Sequence, residues 1–296
     1  MKNLLEISDL SKNEILSLIE LAIEIKKNPK KYSEKLKNKT LFMFFEKPSL
    51  RTRVSFEVAM NQLGGSALYY DLSNSPLAHG KETIEDTSKV ISRYCDAIVA
   101  RVFEQETLEK LAKNSEIPII NALSNDEHPC QILGDLLTIK EKFNTFNIKL
   151  AYLGDCNNNV THSLIKASNI LGFNMNIACP NKKEYLPKIK LGKIKLFHNA
   201  LDAVKGSKIV YTDSWMSYHI PKNRGKKRVK DLKNFQVNDK VMKNAEKNAV
   251  FMHCLPALRG QEVTSNVMDG KKSIVFDQAY NRLPVQKAIL LKLLNK

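Results

Sequence analysis

Six polar clusters in this 296-residue chain each stand directly after a short apolar run that reads as a buried β-strand. They are Ser49-Leu50-Arg51-Thr52-Arg53 after 41–45, Arg101 after 97–100, His128-Pro129-Cys130-Gln131 after 118–120, the stretch 155–159 after 149–153, the stretch 213–217 after 208–212, and His253-Cys254-Leu255-Pro256 after 249–252. Open parallel sheets bind ligands beyond the carboxyl ends of their strands, which is where such clusters fall. The residue types suggest the chemistry. Helix-start N–H groups, two hydroxyls and the guanidinium groups of 49–53 can surround one phosphate-like anion. His128 is held extended by the proline after it, and Pro129 suits the first turn of a helix, so the imidazole and the Gln131 amide can grip a carbonyl or amide. Together the clusters describe a site for transfer between an anion and an amine.

Alternating strands and helices must position these groups. Ser11-Lys12-Asn13-Glu14 is a capping box opening an amphipathic helix to about Lys27, with Ile15, Leu18, Ile19 and Ala22 on its apolar face. Strand and helix then alternate, and the pattern starts again at Lys149. Two successive βα series predict two α/β domains, each with a mainly parallel sheet flanked by helices and with the active site in the cleft between them. The predicted domains are 1–145 and 146–296, with a terminal helix from about 278 packing back on the first and an apolar face over 286–294.

Composition narrows the classes. A hydrophobic content of 43% with 26% charged residues is that of a globular chain. No apolar run approaches the ~20 residues of a membrane span, and the start carries no secretory pattern, so a cytoplasmic protein with no membrane partner is expected. Five scattered cysteines, without a C-x-x-C pair, fit neither a disulfide framework nor a zinc site. The net charge of +16 raises nucleic-acid binding as the rival class, but the excess is lysine spread along helices without a recognised basic motif. No nucleic-acid partner is expected.

In order and spacing, Ser-x-Arg-Thr-Arg, the lone Arg101, His-Pro-x-Gln and His-Cys-Leu-Pro resemble the aspartate/ornithine transcarbamylase family. His253 to Pro256, followed by Arg259-Gly260 and Glu262-Val263, is similar to its ornithine branch. The resemblance spans essentially the whole chain. It implies carbamoyl transfer from carbamoyl phosphate to L-ornithine in arginine biosynthesis, with a related enzyme for putrescine or an acylated ornithine as the alternative. It implies carbamoyl phosphate binding by Ser49, Leu50, Arg51, Thr52, Arg101, His128, Gln131, Cys254, Leu255 and Arg282, and ornithine binding by Asn159, Asp213, Ser217 and Tyr218. Arg101, His128, Asp213 and Cys254 are the implied catalytic residues, with no metal or organic cofactor and a homotrimer, or a multiple of trimers, as the assembly. Which group takes the proton from the amine stays open.

Three positions depart from the family pattern. Leu50 replaces a usual Thr, losing a hydroxyl but keeping its N–H; Tyr218-His219 replaces Met-Gly; and Leu77 falls where a neighbouring subunit's Gln or His is usual, with His79 and Lys81 as alternatives. The basic run 221–233 reads as a solvated mobile lid after Ser217.

Overall fold

The computed structural model describes residues 1–77, 79–217 and 220–295, without the side chains of Asn74 and Lys222. The chain forms two compact units, 1–137 with 280–296, and 138–279.

In the first unit, helix α1 (Lys12–Lys27) is opened by Ser11, whose hydroxyl accepts from the Glu14 N–H while Glu14 returns the bond. Strand β1 (Thr40–Phe45), helix α2 (Leu50–Gln62), β2 (Ser66–Asp71), α3 (Ile84–Tyr94), β3 (Ala97–Arg101), α4 (Gln105–Asn114), β4 (Ile119–Leu123) and α5 (Pro129–Phe143) follow. The sheet is parallel in the order β2-β1-β3-β4. Its central strands are buried on both faces, which is why 41–45 and 97–100 are continuous apolar runs. Full burial of side chains such as Phe44, Phe45 and Phe56 contributes roughly 1.5–3 kcal/mol each. Because the chain leaves β1 for β2 on one side and returns to β3 on the other, the switch point lies between β1 and β3. The clusters beginning at Ser49 and Arg101 follow those two strands.

The second unit carries β5 (Lys149–Leu153), α6 (Asn159–Leu171), β6 (Asn174–Ala178), β7 (Lys195–Phe197), α7 (Ala200–Val204), β8 (Ile209–Thr212), α8 (Gly225–Leu232), α9 (Asp239–Asn244), β9 (Val250–His253) and α10 (Ser265–Met268). Its parallel sheet has the order β7-β6-β5-β8-β9, so its switch point lies between β5 and β8. The clusters 155–159 and 213–217 follow those strands. Gly154 ends β5 at φ 130°, where a Cβ would meet Trp215 Nε1 at 3.3 Å.

Two elements differ from the sequence expectation. The terminal helix, α11 (Val275–Leu294), begins earlier than the expected 278 and runs through Pro284, a residue that breaks the helical pattern when read from sequence. The run 221–233, expected as a solvated lid loop, is a 3₁₀ turn (Lys222–Arg224) followed by α8, and Arg228 within it is buried.

Candidate active site

Ser49 caps α2, its side-chain oxygen accepting from the Thr52 N–H at 3.3 Å. The first-turn N–H groups of such a helix lack intrahelical acceptors and, with the helix dipole, favour an anion there. The Leu50 side chain is 75% exposed, so only its backbone can take part in such a site. Arg51 is half-buried. Arg53 is turned aside, with Nε 2.9 Å from Glu57 Oε1 and its guanidinium 3.8 Å from the Tyr69 ring centre.

Arg101 ends β3 where the register with β4 shifts: Ala100 pairs with Asn121 but Arg101 with Leu123. Such irregularities re-aim a side chain beside functional sites. The guanidinium is buried, as is His128 at the start of α5. Burial, then the charges of Arg282, Arg101 and Lys47, holds the His128 pKa well below 6.5, so its imidazole is neutral. Gln131 Nε2 donates to Asp135 Oδ1 at 2.9 Å, and its Oε1 accepts from Arg282 Nη1 at 2.6 Å. Arg282 Nη2 lies 3.4 Å from Thr52 Oγ1, linking α11 to the first turn of α2. Gly134 packs closely against this arginine: a Cβ there would stand 3.3 Å from Arg282 Cδ.

Two members of this cluster escaped the sequence reading. Asp135 is one helical turn beyond Gln131, a spacing that could have revealed it. Lys47 precedes the 49–53 motif, donates to Asn125 Oδ1 at 3.0 Å and lies over the Phe103 ring. Burial, then the Arg101 charge, lowers its pKa to about 8. A buried cation with a depressed pKa marks a place where an anion would be welcome. Above pH 8, where inorganic phosphate is dianionic, binding must take up the proton that Lys47 has lost. We expect phosphate affinity, measured calorimetrically, to fall by up to about tenfold per pH unit there, and Lys47→Met to bind more weakly without that slope. A slope that survives in the variant would remove Lys47 from the anion site. Stability has the opposite dependence: from about pH 8 to 10.5 only the unfolded chain holds this proton, so the contribution of Lys47 to stability rises with pH.

In the second unit, Asn158 caps α6, its Oδ1 accepting from the Thr161 N–H at 2.8 Å and its Nδ2 donating to the Tyr152 hydroxyl at 2.7 Å. That cap places Asn159 as the first residue of the helix. Burial, then the charge of Asp213, pushes the Tyr152 pKa well above 10, keeping the phenol neutral. Asp213 and Cys254, at the ends of β8 and β9, are both half-buried, and the Cys254 thiol donates to Asp213 Oδ1 at 2.8 Å. Ser217, also half-buried, lies four residues beyond Asp213; Tyr218 and His219 lie outside the described residues.

Leu255 adopts a left-handed φ of 59°, and its N–H donates to His253 Nδ1 at 2.8 Å. His253 is fully buried, with Nε2 3.4 Å from Glu262 Oε1 and its backbone N–H on Gln278 Oε1. Potential ligand atoms of Asp213, His253 and Cys254 lie within 4.8 Å of one another. His253, however, commits one ring nitrogen to Leu255 and turns the other toward Glu262, so its role is to shape the turn that presents Cys254.

Asp155 and Arg228 form a buried ion pair, and Arg228 Nε donates to the Trp215 carbonyl at 2.7 Å. Burial raises the Asp155 pKa despite that guanidinium. Lys227 is different, pairing with Glu184 at 2.7 Å on the surface. Neutralising 226–228 together would therefore break a buried pair, so the expectation that the run 221–233 is solvated is corrected at Arg228.

Residues 2–141 match the family described as aspartate/ornithine carbamoyltransferase, carbamoyl-P binding domain, and residues 146–293 match its Asp/Orn binding domain. The chain is 47% identical to the ornithine carbamoyltransferase of Methanosarcina mazei, covering 99% of each protein. It is 42% identical to a relative from Thermoplasma acidophilum named as a catabolic ornithine carbamoyltransferase, again covering 99% of each. The solved ornithine carbamoyltransferase of Pyrococcus furiosus superposes with a TM-score of 0.93 at 44% identity, covering 99% of this chain and 97% of that one. Two parallel-sheet domains of this kind, matched over both, define a carbamoyltransferase. The chain belongs to the aspartate/ornithine carbamoyltransferase family.

Proposed function

We propose that the chain transfers the carbamoyl group of carbamoyl phosphate to the side-chain amine of L-ornithine, giving L-citrulline and phosphate. The observation that carries this reading is the half-buried Asp213 carboxylate, fixed by the Cys254 thiol at 2.8 Å. A fixed carboxylate suits an ammonium group. The ornithine amine, with a lysine-like pKa of ~10.4, arrives protonated and must lose a proton to become a nucleophile. Asp213 is our choice of acceptor because the thiol is already donating to it. The new bond is N–C, the bond broken is C–O to phosphate, and the amine proton passes through Asp213 toward solvent.

On the first unit, Ser49, the Leu50 N–H, Arg51, Thr52 and Arg101 hold the phosphate in this scheme. Neutral His128, Gln131 and Arg282 address the carbamoyl group, where charge develops on its oxygen as the tetrahedral intermediate forms. Positive groups fixed before the reaction stabilise that charge and the departing phosphate without reorganising. Cys254 and Leu255 complete the carbamoyl side of the scheme; Asn159 and Ser217, with Tyr218, bind the amino-acid end of ornithine.

The test is a citrulline-forming assay with ornithine, putrescine and N-acetylornithine as acceptors. Ornithine is expected to give the highest kcat/KM, because the other two leave polar groups of the acceptor site unmatched. A higher value for putrescine or N-acetylornithine would overturn the acceptor assignment and leave the family assignment standing.

We place the reaction in arginine biosynthesis and the enzyme in the cytoplasm, where its five free cysteines would stay reduced. Deletion should produce arginine auxotrophy, and fractionation should recover the protein with soluble contents; loss of arginine breakdown alone would indicate the catabolic direction. We also propose a homotrimer. The trimer is what the family resemblance implies; on the first unit Leu50, Leu68 and Tyr94 are exposed large side chains that such an assembly could cover. The stretch 75–81 would then serve a neighbour's phosphate site. Light scattering that returns a monomer at assay concentration would remove this assignment.

A further inference from the structure

We infer that Arg228 is a positioning residue for the acceptor half of the reaction, locking the Asp213–Ser217 segment to the loop that begins α6. The inference deepens the proposed acceptor site and rests on that reading.

Arg228 reaches two backbone segments at once. Its Nε donates to the carbonyl of Trp215, which stands midway between Asp213 and Ser217. Its Nη2 pairs with the Asp155 carboxylate, whose other oxygen accepts from the Asn157 N–H at 2.9 Å. The Asp155 carbonyl in turn accepts from Asn158 Nδ2 at 2.6 Å and from Thr161 Oγ1 at 3.3 Å. One planar guanidinium therefore connects the segment following β8 to the cap of α6, where Asn159 begins the helix. The fork is specific to arginine: a lysine ammonium can keep a charge near Asp155 but lacks the rigid geometry for both acceptors.

The surroundings fix this fork. Arg228 and Asp155 are 8% and 5% exposed, and the Tyr185 ring lies 5.1 Å from the guanidinium. Tyr185 is itself held by its hydroxyl, 3.2 Å from Asp231 Oδ2, one turn further along α8. The neighbouring Lys227 is instead 61% exposed by its side chain and pairs with Glu184. Among the described side chains of this basic run, Arg228 is the cation that is buried.

The pair also forms part of the wall of a cavity of about 480 Å3, shared with Asn157, Ile220 and Arg224. A shorter side chain at 228 admits water to Asp155, so the link can be cut without emptying the apolar core. Cutting it frees the Trp215 carbonyl and allows the two loops to move independently. Misplacement of reacting groups by about 1 Å can cost on the order of 10²-fold.

The experiment uses the full chain and steady-state kinetics for both substrates, with thermal melting of each variant. Arg228→Gln is expected to raise the ornithine KM by about ten- to a hundred-fold, with the carbamoyl phosphate KM within about twofold. Arg228→Lys should lie between it and the parent. Because Arg228→Gln strands a buried carboxylate and can fail to fold, Asp155→Asn/Arg228→Met serves as the second variant. It removes both charges and any donor to Trp215, so it should melt near the parent yet keep the raised ornithine KM. An ornithine KM unchanged in the folded variants would overturn the inference, as would a double variant that restores it, or equal changes in both KM values. If the parent enzyme uses another acceptor, that acceptor replaces ornithine in the same measurements, separating failure of the substrate assignment from failure of the positioning role.

Discussion

Arg101→Ala is expected to lower kcat by about 10²–10³-fold, the loss typical of removing one preorganised group that stabilises developing negative charge. Arg101 ends β3 at a register shift, is buried, and adds its charge to those acting on His128 and Lys47. Lys47 is a like charge already destabilised by Arg101, so deleting the guanidinium relieves repulsion while removing some packing. His128 should remain neutral, because burial is the first cause of its lowered pKa and Arg101 only a later one. A fall in turnover with a melting temperature near the parent value thus isolates the chemical role. Arg51→Ala, at the start of α2, should move in the same direction. Parent-like turnover in folded Arg101→Ala protein would remove Arg101 from the site.

The strand ends were legible because strands buried on both faces leave continuous apolar runs. β1, β3, β5, β8 and β9 follow that rule apart from polar residues at their ends, whereas β4 is interrupted by the buried Asn121. Strand order was not legible, since periodicity carries no information about which strands are neighbours. The two switch points therefore emerge only from the folded sheets. Thr52, Gln131 and Arg282 illustrate the same limit: Arg282 reaches Gln131 across 151 positions and Thr52 across 230. Family resemblance singled out these residues, whereas spacing alone could not. The charged run 226–228 misled because consecutive cations look alike in sequence, while successive helical residues face different directions. Lys227 reaches Glu184 at the surface and Arg228 reaches the buried Asp155. Lys47 was passed over for a related reason: an isolated lysine before a proline carries no sign that folding will bury it beside Arg101.

Asp213→Asn should lower kcat/KM for ornithine by about 10²-fold or more, the scale of a lost general acid–base contribution. The substitution keeps shape and an oxygen able to accept from the Cys254 thiol, but it removes the negative charge and the basicity needed to receive a proton. Cys254→Ser should be milder, because a hydroxyl can donate to Asp213 in place of the thiol. The distinction between proton acceptance and simple attraction lies in the acceptor amine. If Asp213 takes the proton, a primary-amine analogue of ornithine with a lower pKa, already deprotonated at the assay pH, should recover much of the rate lost in Asp213→Asn. If Asp213 only attracts an ammonium group, that analogue should gain nothing. The carbamoyl phosphate KM should stay near its parent value in either case, since Asp213 belongs to the second unit and the proposed phosphate-binding residues to the first. Unchanged ornithine kinetics in Asp213→Asn would overturn its assignment to the acceptor site; impaired kinetics without recovery by the lower-pKa amine would overturn proton acceptance.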